Sequence, residues 1–216
     1  MPWSKTLLRN AKLYLILDTD VCGYDELFEI LKQSVAPGID IVQLRDKKGF
    51  TQKTIQFALR VKKFLAGRIP LIINDRVDIA LVLGAEGVHL GQGDMPLADA
   101  RRLLGKSRIV GASCQTWAHV LKATREGADY IGFGSVFKTL TKPERRPMEL
   151  SLLKKVCEQA QVPIFAIGGI TTKSIPILIS LGVKRVAVCR DICLAKDVKA
   201  IVKEFKVLLN NFVKDV

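Results

Sequence analysis

The stretch Pro70-Leu-Ile-Ile-Asn-Asp-Arg-Val-Asp-Ile-Ala-Leu-Val-Leu-Gly-Ala-Glu-Gly-Val-His-Leu-Gly91 contains one full repeat of the pattern that decides the fold. Residues 70–75 form a short, nearly continuous apolar run, which is typical of a strand buried on both faces of a parallel sheet. Residues 77–83 are predicted to be helical, and Gly84 marks the helix end because glycine readily adopts the left-handed conformation there. A second strand-like run at 87–91 completes a strand-helix-strand unit.

The same alternation continues outward along the whole chain. Eight strand-like runs are predicted, at 13–19, 40–45, 70–75, 87–91, 108–113, 130–136, 163–169 and 185–192. Longer stretches with helical periodicity lie between or after them, among them 25–36, 51–66, 96–104, 117–126, 148–160 and a last one from Val198 to Phe212. Glycine often precedes the next strand, as at Gly38, Gly67, Gly84, Gly105, Gly127 and Gly182.

Eight such units without a linker predict an α/β protein with a single (β/α)8 TIM barrel over residues 1–216. The main alternative is an open, doubly wound sheet. That fold usually has a glycine-rich phosphate-binding turn after its first strand, whereas residues 18–23 here read Asp-Thr-Asp-Val-Cys-Gly. We therefore favour the barrel.

Composition excludes a disordered or collagen-like chain. Of 216 residues, 49% are hydrophobic and 25% are charged, as in ordinary globular proteins. Neither a secretory signal nor a membrane-spanning apolar segment is recognisable. The five cysteines are scattered and form no CxxC pair, so a reduced cytoplasm is the expected location.

The formal net charge of +13 is compatible with nucleic acid, an acidic membrane surface or small phosphorylated ligands as partners. Many lysines, however, fall on the predicted solvent face of amphipathic helices, as Lys199, Lys203 and Lys206 do in the last helix and Lys62 does in 51–66. There is no basic tail, RNP-like motif or zinc-finger spacing. We expect small phosphorylated substrates, no nucleic acid and no membrane, and leave open whether copies form a homo-oligomer.

Polar residues follow the carboxyl ends of the predicted strands, where barrel enzymes build their active sites. They are Gln43, Arg45 and Lys47; Asn74 and Asp75; Gln92 and Asp94; Ser113; Thr139, Thr141 and Lys142; Gly168 and Gly169; and Cys189 and Arg190. Any one of them could simply be a solvated loop residue. Their recurrence at seven successive strand ends favours a site.

These residues predict a site for phosphate with a metal. Arg45, Lys47 and Lys142 are cationic donors suited to phosphate. Asp75 and Asp94, on neighbouring strands, could hold Mg²⁺, which commonly takes one or two carboxylates and completes its shell with water and phosphate. The alternative for each carboxylate is that it caps the helix that follows it.

A second anion pocket is predicted on the other side of the rim. Gly168-Gly169 permits close approach of the backbone to a ligand, and the amides of Cys189-Arg190 would complete a phosphate cradle. His89 is predicted to be a packed or hydrogen-bonded side chain, and His119 to be exposed on a helix. With no nucleophile near either histidine in a recognisable pattern, a catalytic triad is not expected.

Five segments together resemble the thiamine phosphate synthase family, in register over nearly the whole chain. They are Gln43-Leu-Arg-Asp-Lys47, Ile73-Asn-Asp-Arg-Val-Asp-Ile-Ala80, Gly87-Val-His-Leu-Gly-Gln-Gly-Asp94, Gly132-Phe-Gly-Ser-Val-Phe-Lys-Thr-Leu-Thr-Lys142 and Ala166-Ile-Gly-Gly-Ile170. Members of this family are TIM-barrel transferases that join a hydroxymethylpyrimidine diphosphate to a thiazole phosphate, releasing pyrophosphate.

The resemblance implies roles for individual residues. The pyrimidine diphosphate would be bound by Gln43, Leu44, Arg45, Asp46, Lys47, Asn74, Ser113 and Lys142, of which Arg45, Lys47, Ser113 and Lys142 are the expected catalytic residues. The thiazole phosphate would be bound by Thr139, Leu140, Thr141, Gly169, Cys189 and Arg190. Mg²⁺ would be the cofactor, held by Asp75 and Asp94.

The implied mechanism is dissociative: pyrophosphate leaves, the aminopyrimidine stabilises the carbocation, and the thiazole nitrogen attacks. Two alternatives stay open, a thiazole tautomerase-like isomerase and a non-catalytic protein that binds phosphorylated metabolites. The tautomerases resemble the synthases but use a histidine just after the serine of the fifth strand, where this chain has Ser113-Cys-Gln115. This difference favours the synthase.

Overall fold

The computed structural model describes residues 5–49, 51–140 and 146–211, with side chains from Leu8 onward. Its centre is a closed barrel of eight parallel strands in sequential order, in which the last strand pairs with the first. The strands are β1 Leu13–Asp18, β2 Ile41–Arg45, β3 Leu71–Asn74, β4 Gly87–Leu90, β5 Ile109–Cys114, β6 Tyr130–Phe133, β7 Ile164–Ile167 and β8 Val186–Val188. The prediction of a barrel is confirmed, and the open sheet is excluded because β8 pairs with β1 along Leu13–Leu15.

Helices surround the barrel and connect its strands. Those described are α1 Lys5–Asn10, α2 Tyr24–Val35, α3 Thr51–Leu65, α4 Val77–Leu83, α5 Leu97–Leu104, α6 Trp117–Arg125, α7 Leu150–Gln159, α8 Ile175–Ser180, α9 Arg190–Cys193 and α10 Val198–Asn211. A 3-10 turn, Thr172–Ser174, leads into α8. Among these helices none is long and apolar enough to cross a membrane.

The predicted strands match the observed ones closely at their start and less well at their end. The sixth ends at Phe133 and the seventh at Ile167, both before the predicted residue. The eighth shows the largest difference, because the chain leaves the barrel after Val188 and residues 190–193 form α9. Cys189 and Arg190 therefore begin a helix and do not close a strand, although both remain at the barrel rim.

The core has two layers because neighbouring strand residues point to opposite faces. Leu15, Leu44 and Val88 belong to the outer layer, packed between the strands and the helices. Tyr14, Tyr130 and Phe165 belong to the inner layer, which fills the barrel interior. The barrel is thus closed by side chains at its centre, and a ligand can be accommodated only beyond them, at the strand ends.

Two lysines differ from the prediction of solvated helix faces. Lys206 of α10 forms an ion pair with the carboxylate of Asp40, with an Nζ to Oδ2 distance of 2.9 Å. Lys62 of α3 donates to the carbonyls of Leu83 and Gly84 at the end of α4. Part of the basic charge is therefore used inside the fold, in places that helical periodicity alone does not reveal.

Candidate active site

A cavity of about 760 Å³ lies at the carboxyl ends of the strands. Its walls include predicted residues of both substrate groups: Gln43, Arg45, Asn74, Ser113, Thr139, Leu140, Gly169, Cys189 and Arg190. The fold thus brings together residues from β2, β3 and β5 with the segments that follow β6, β7 and β8. Thr141 and Lys142 lie outside the described residues.

Three predicted residues of the segment 43–47 do not line this cavity. The Leu44 side chain is buried in the outer core layer, so only its backbone is available toward the rim. The Asp46 carboxylate faces its own loop, and the Lys47 ammonium pairs with Asp75. The alternation of side chains along β2 explains the position of Leu44, which points outward while Gln43 and Arg45 point inward; Asp46 and Lys47 follow the end of the strand.

Asp46 organises the loop that carries Lys47. Its oxygens accept hydrogen bonds from the hydroxyls of Thr19 at 2.9 Å, Tyr24 at 2.6 Å and Thr54 at 2.6 Å, and from the amide of Gly49 at 2.7 Å. Burial acts to raise the pKa of Asp46, but these donors stabilise the carboxylate more and hold the pKa below its usual value. In the described structure Asp46 is therefore a structural anchor for the loop.

Arg45 is held in place by a carboxylate that the sequence analysis did not select. Asp18, the fully buried last residue of β1, accepts two hydrogen bonds of 2.8 Å from Arg45 Nη1. Asp20 accepts a third from the same nitrogen at 3.3 Å. Burial opposes the charge of Arg45, but the two aspartates outweigh it and raise the pKa of Arg45. Because these bonds all use Nη1, the rest of the guanidinium can face the cavity.

Asp75 and Asp94 lie next to each other, but neither lines the large cavity, and Asp94 lines a second cavity of about 90 Å³. Burial raises the pKa of Asp75, and so does the adjacent Asp94, against the effect of the Lys47 ammonium. Asp94 Oδ2 also accepts from the amide of Gly91 at 2.7 Å. Two neighbouring carboxylates, one of them half-buried with a raised pKa, form an arrangement that a divalent cation would stabilise.

Neither carboxylate is a helix cap. The N-cap position of α4 is Arg76 and that of α5 is Pro96, so the capping alternative is wrong for both. Within the described ranges no cluster of three or more His, Cys, Asp or Glu side chains could hold a metal ion. A pair of carboxylates nevertheless fits Mg²⁺, which keeps several water or phosphate ligands.

Gly168 and Gly169 form part of the cavity wall, where the segment after β7 packs on the segment after β6. Their φ angles are +102° and +63°, and a Cβ atom on Gly169 would lie 2.4 Å from the carbonyl oxygen of Lys138. Close packing of residues 168–169 on the segment after β6 brings Thr139 and Leu140 to the cavity. Only glycine fits this backbone, so the Gly-Gly pair has a packing role as well as a place in the wall.

Cys189 and Arg190 line the opposite side of the cavity. Cys189 is half-buried and lies near the Cys193 thiol, which donates to the carbonyl of Ile16 at 3.6 Å; the neighbouring Cys189 and burial raise the pKa of Cys193. Cys22 also lies close, since its thiol contacts the carbonyl of Cys193 at 3.7 Å. The surroundings of Cys189 are thus apolar and thiol-rich, without the activating base that a nucleophilic cysteine requires.

The prediction for one histidine is confirmed and that for the other is wrong. His89 is buried and hydrogen-bonded as predicted, with Nδ1 3.0 Å from the Tyr130 hydroxyl and Nε2 2.9 Å from that of Ser113. It also lines the cavity, which the sequence analysis did not anticipate. His119 was expected to be exposed; it is half-buried on α6, and that expectation is wrong.

Besides His89, three residues of the site were not predicted: Lys138 and Lys196 line the cavity, and Asp18 holds Arg45. The acidic residue at the end of β1 could have indicated an ion pair with Arg45, because Asp18 and Arg45 are register partners on adjacent strands. Lys138 lies within a segment already selected. Lys196 follows α9, where no strand end drew attention to it.

The chain matches known sequences over most of its length. The family model for thiamine monophosphate synthase matches residues 13–192. The thiamine-phosphate synthase of Clostridium acetobutylicum is 40% identical over 191 residues, which cover 88% of this chain and 90% of that relative. The thiamine-phosphate synthase of Fusobacterium nucleatum is 37% identical over 206 residues, covering 95% and 98%.

The chain is also similar to solved structures with the same fold. Thiamine phosphate pyrophosphorylase from Pyrococcus furiosus has a TM-score of 0.86 at 30% identity, covering 96% of this chain and 99% of that one. A 3-hexulose-6-phosphate synthase has a TM-score of 0.72 at 18% identity, covering 91% and 99%, and shares the fold alone.

Proposed function

The chain belongs to the thiamine monophosphate synthase family of transferases, and we propose that it joins an aminopyrimidine methyl diphosphate to a thiazole phosphate, carboxylated or decarboxylated, releasing pyrophosphate. The observation that carries the proposal is one cavity that contains residues from both expected subsites. A single cavity allows two substrates to react directly. The proposed location is the cytoplasm, and the proposed partners are small phosphorylated molecules.

The pyrimidine subsite is proposed on the side of β2, β3 and β5. Gln43, Asn74 and Ser113 offer amide and hydroxyl groups to the ring, and Arg45 lies beside them for the diphosphate. Lys47 and Lys142 would complete the phosphate contacts. Lys47 is paired with Asp75 and does not line the cavity, so it would have to turn from Asp75 toward the diphosphate.

Mg²⁺ is proposed at Asp75 and Asp94, which fit such a site because they are adjacent and one is half-buried. When bound, the metal would neutralise charge that develops on the leaving pyrophosphate. The chain's own contribution is to place the two carboxylates and Lys47 side by side, so that cations and anions alternate where the diphosphate binds.

The thiazole phosphate is proposed to bind on the other side, between the segment after β6 and the start of α9. Thr139, Leu140, Thr141 and Gly169 would contact it from one side. Cys189 and Arg190 would contact it from the other, chiefly through the backbone. Lys138 and Lys196 line the same cavity, as do the carboxylates of Asp191, Asp197 and Glu204.

The proposed reaction needs leaving-group stabilisation more than a protein nucleophile. The bond between the pyrimidine methylene carbon and the diphosphate oxygen breaks, and its electron pair leaves with pyrophosphate. The lone pair of the thiazole nitrogen then forms the new carbon–nitrogen bond. Arg45 and the lysines stabilise the departing charge, and the two subsites hold the reactants together. The surroundings of Cys189 and His89, without an activated nucleophile, are consistent with this chemistry.

The direct test is formation of thiamine phosphate from the two phosphorylated precursors, with Mg²⁺ and with a chelator. We expect equal amounts of product and pyrophosphate, and loss of both on chelation. Isomerisation of the thiazole without condensation would favour the tautomerase alternative. Binding of the precursors by folded protein without turnover would favour a non-catalytic role, and either result would overturn the proposal.

A further inference from the structure

Five side chains form a continuous hydrogen-bonded path across the barrel interior. Gln43 Nε2 on β2 donates to the Tyr14 hydroxyl on β1 at 2.8 Å, and the two hydroxyls of Tyr14 and Tyr130 lie 2.8 Å apart. The Tyr130 hydroxyl is 3.0 Å from Nδ1 of His89, whose Nε2 is 2.9 Å from the Ser113 hydroxyl. Both ends of the path, Gln43 and Ser113, line the cavity.

The middle of the path is rigid and excluded from solvent. Tyr14 and Tyr130 are buried, and each packs edge-on against Phe165, with ring centroids 5.4 and 5.5 Å apart. Space for Tyr130 depends on Gly111, where a Cβ atom would lie 2.1 Å from the ring carbon that bears the hydroxyl. Neither tyrosine belongs to the binding groups assigned above, so their hydroxyls need another explanation.

The distances between the two tyrosine hydroxyls and around His89 are compatible with either direction, and the Gln43 amide, with Nε2 toward Tyr14, selects one because each hydroxyl has one hydrogen to donate. Tyr14 accepts from Gln43, so its own hydrogen goes to Tyr130. In that direction the Tyr130 hydrogen goes to His89 Nδ1, and the tautomer that fits has the imidazole hydrogen on Nε2 for donation to Ser113. The Ser113 hydroxyl can then donate its hydrogen to a ligand in the cavity, and the side-chain carbonyl oxygen of Gln43 can accept a hydrogen bond from one.

We propose that Tyr14, Tyr130 and His89 are positioning residues that fix Gln43 as an acceptor and Ser113 as a donor toward the pyrimidine. This pairing suits an aminopyrimidine, whose amino group donates and whose ring nitrogens accept. The same pairing disfavours an oxo analogue, because its oxygen accepts hydrogen bonds where the amino group donates them. If one hydrogen bond of this buried path reverses its donor and acceptor, every other bond must reverse too. The hydrogen-bonding roles of Gln43 and Ser113 therefore cannot change independently. This inference rests on the proposed substrate, but the direction of the hydrogen-bonded path can be tested without any substrate.

The first test reads the hydrogen position on His89 by nitrogen NMR of ¹⁵N-histidine-labelled, ligand-free protein at pH 8. The chain has only two histidines, so a His119→Gln variant assigns the signals. We expect a neutral His89 with hydrogen on Nε2 and a bare Nδ1. Tyr130→Phe should produce a mixture of tautomers. Tyr24→Phe is the matched control, since Tyr24 bonds Asp46 away from His89, and it should leave the signals unchanged.

The second test compares the amino and oxo pyrimidine diphosphates as substrates. Tyr14→Phe and Tyr130→Phe should each lower the preference for the amino substrate about tenfold, the effect expected of one hydrogen bond. The KM for the thiazole phosphate should stay within about twofold, because its subsite lies elsewhere. A merely structural role would change both substrates alike.

The outcomes separate this inference from the proposed function. Hydrogen on Nδ1, or a doubly protonated His89, would overturn the direction of the path even if the enzyme makes thiamine phosphate. The expected tautomer in a protein without synthase activity would leave the path intact and refute the substrate assignment. An unchanged amino preference in both tyrosine variants would refute the positioning role.

Discussion

Asp18→Asn is the sharpest test of how the site is held together. The change removes the charge of a fully buried side chain, keeps its shape and retains an oxygen for the amide of Asp20. It leaves the Arg45 guanidinium, only 11% exposed, without its main partner. Loss of one member of a buried ion pair costs about 3–5 kcal/mol. Because Asp20 still contacts Arg45 at 3.3 Å, we expect the lower end, about 3 kcal/mol, or a Tm lower by about 6–12 °C.

The assay is urea unfolding at pH 7, with an unchanged m-value as the check that the transition still reports the same fold. Asp20→Asn is the matched control. Its side chain is 31% exposed and its bond to Arg45 is longer, so its loss should cost less than about 1 kcal/mol. Adding Arg45→Met to Asp18→Asn removes both charges and should recover most of the stability. A loss below about 1 kcal/mol for Asp18→Asn would refute the view that this pair anchors Arg45.

Three further predictions follow from other parts of the site. Asp94→Ala should abolish Mg²⁺-dependent turnover with the circular dichroism spectrum preserved, and full activity at low Mg²⁺ would contradict the metal assignment. Because the folded-state pKa of Asp46 is depressed, its stabilisation is fully present above the unfolded value of about 3.9 and is lost as pH falls through the lower folded value. The Tm difference between wild type and Asp46→Asn should therefore shrink only below about pH 4, whereas shrinkage already near pH 6 would exclude this origin. Gly169→Ala should cost about 1–3 kcal/mol and raise the KM for thiazole phosphate, because its Cβ would meet Lys138; a neutral result in both thermal melts and kinetics would show that the wall adjusts freely.

Much of the fold could be predicted because every strand of the barrel is buried on both faces. The apolar runs and the glycines between them, such as Gly84 at the end of α4, are local features that one sequence displays. The residue at which a strand ends depends less on local sequence. Residues 190–192 look like a continued strand, but the pairing of β8 with β1 ends at Val188 and these residues form part of α9.

The candidate site could be predicted where polar residues interrupt apolar runs, as at Asn74 and Ser113. The same reasoning fails for groups that act across the barrel. In β1 every residue is buried, so nothing in the sequence shows that Tyr14 faces the interior and Leu15 the helices. The contact of Tyr14 with Tyr130 spans β1 to β6 and exists only once the barrel has closed.

The pairing of β1 with β8 also constrains how the protein is synthesised. Leu13 lies beside Val186, so one edge of the first strand has no partner until β8 has been synthesised. An open strand edge is a template for pairing with other chains. During that interval, β1 depends on β2 along Tyr14–Asp18 and on the packing of α2. Slow translation between β2 and β8 lengthens that interval and should therefore lower the yield of folded protein.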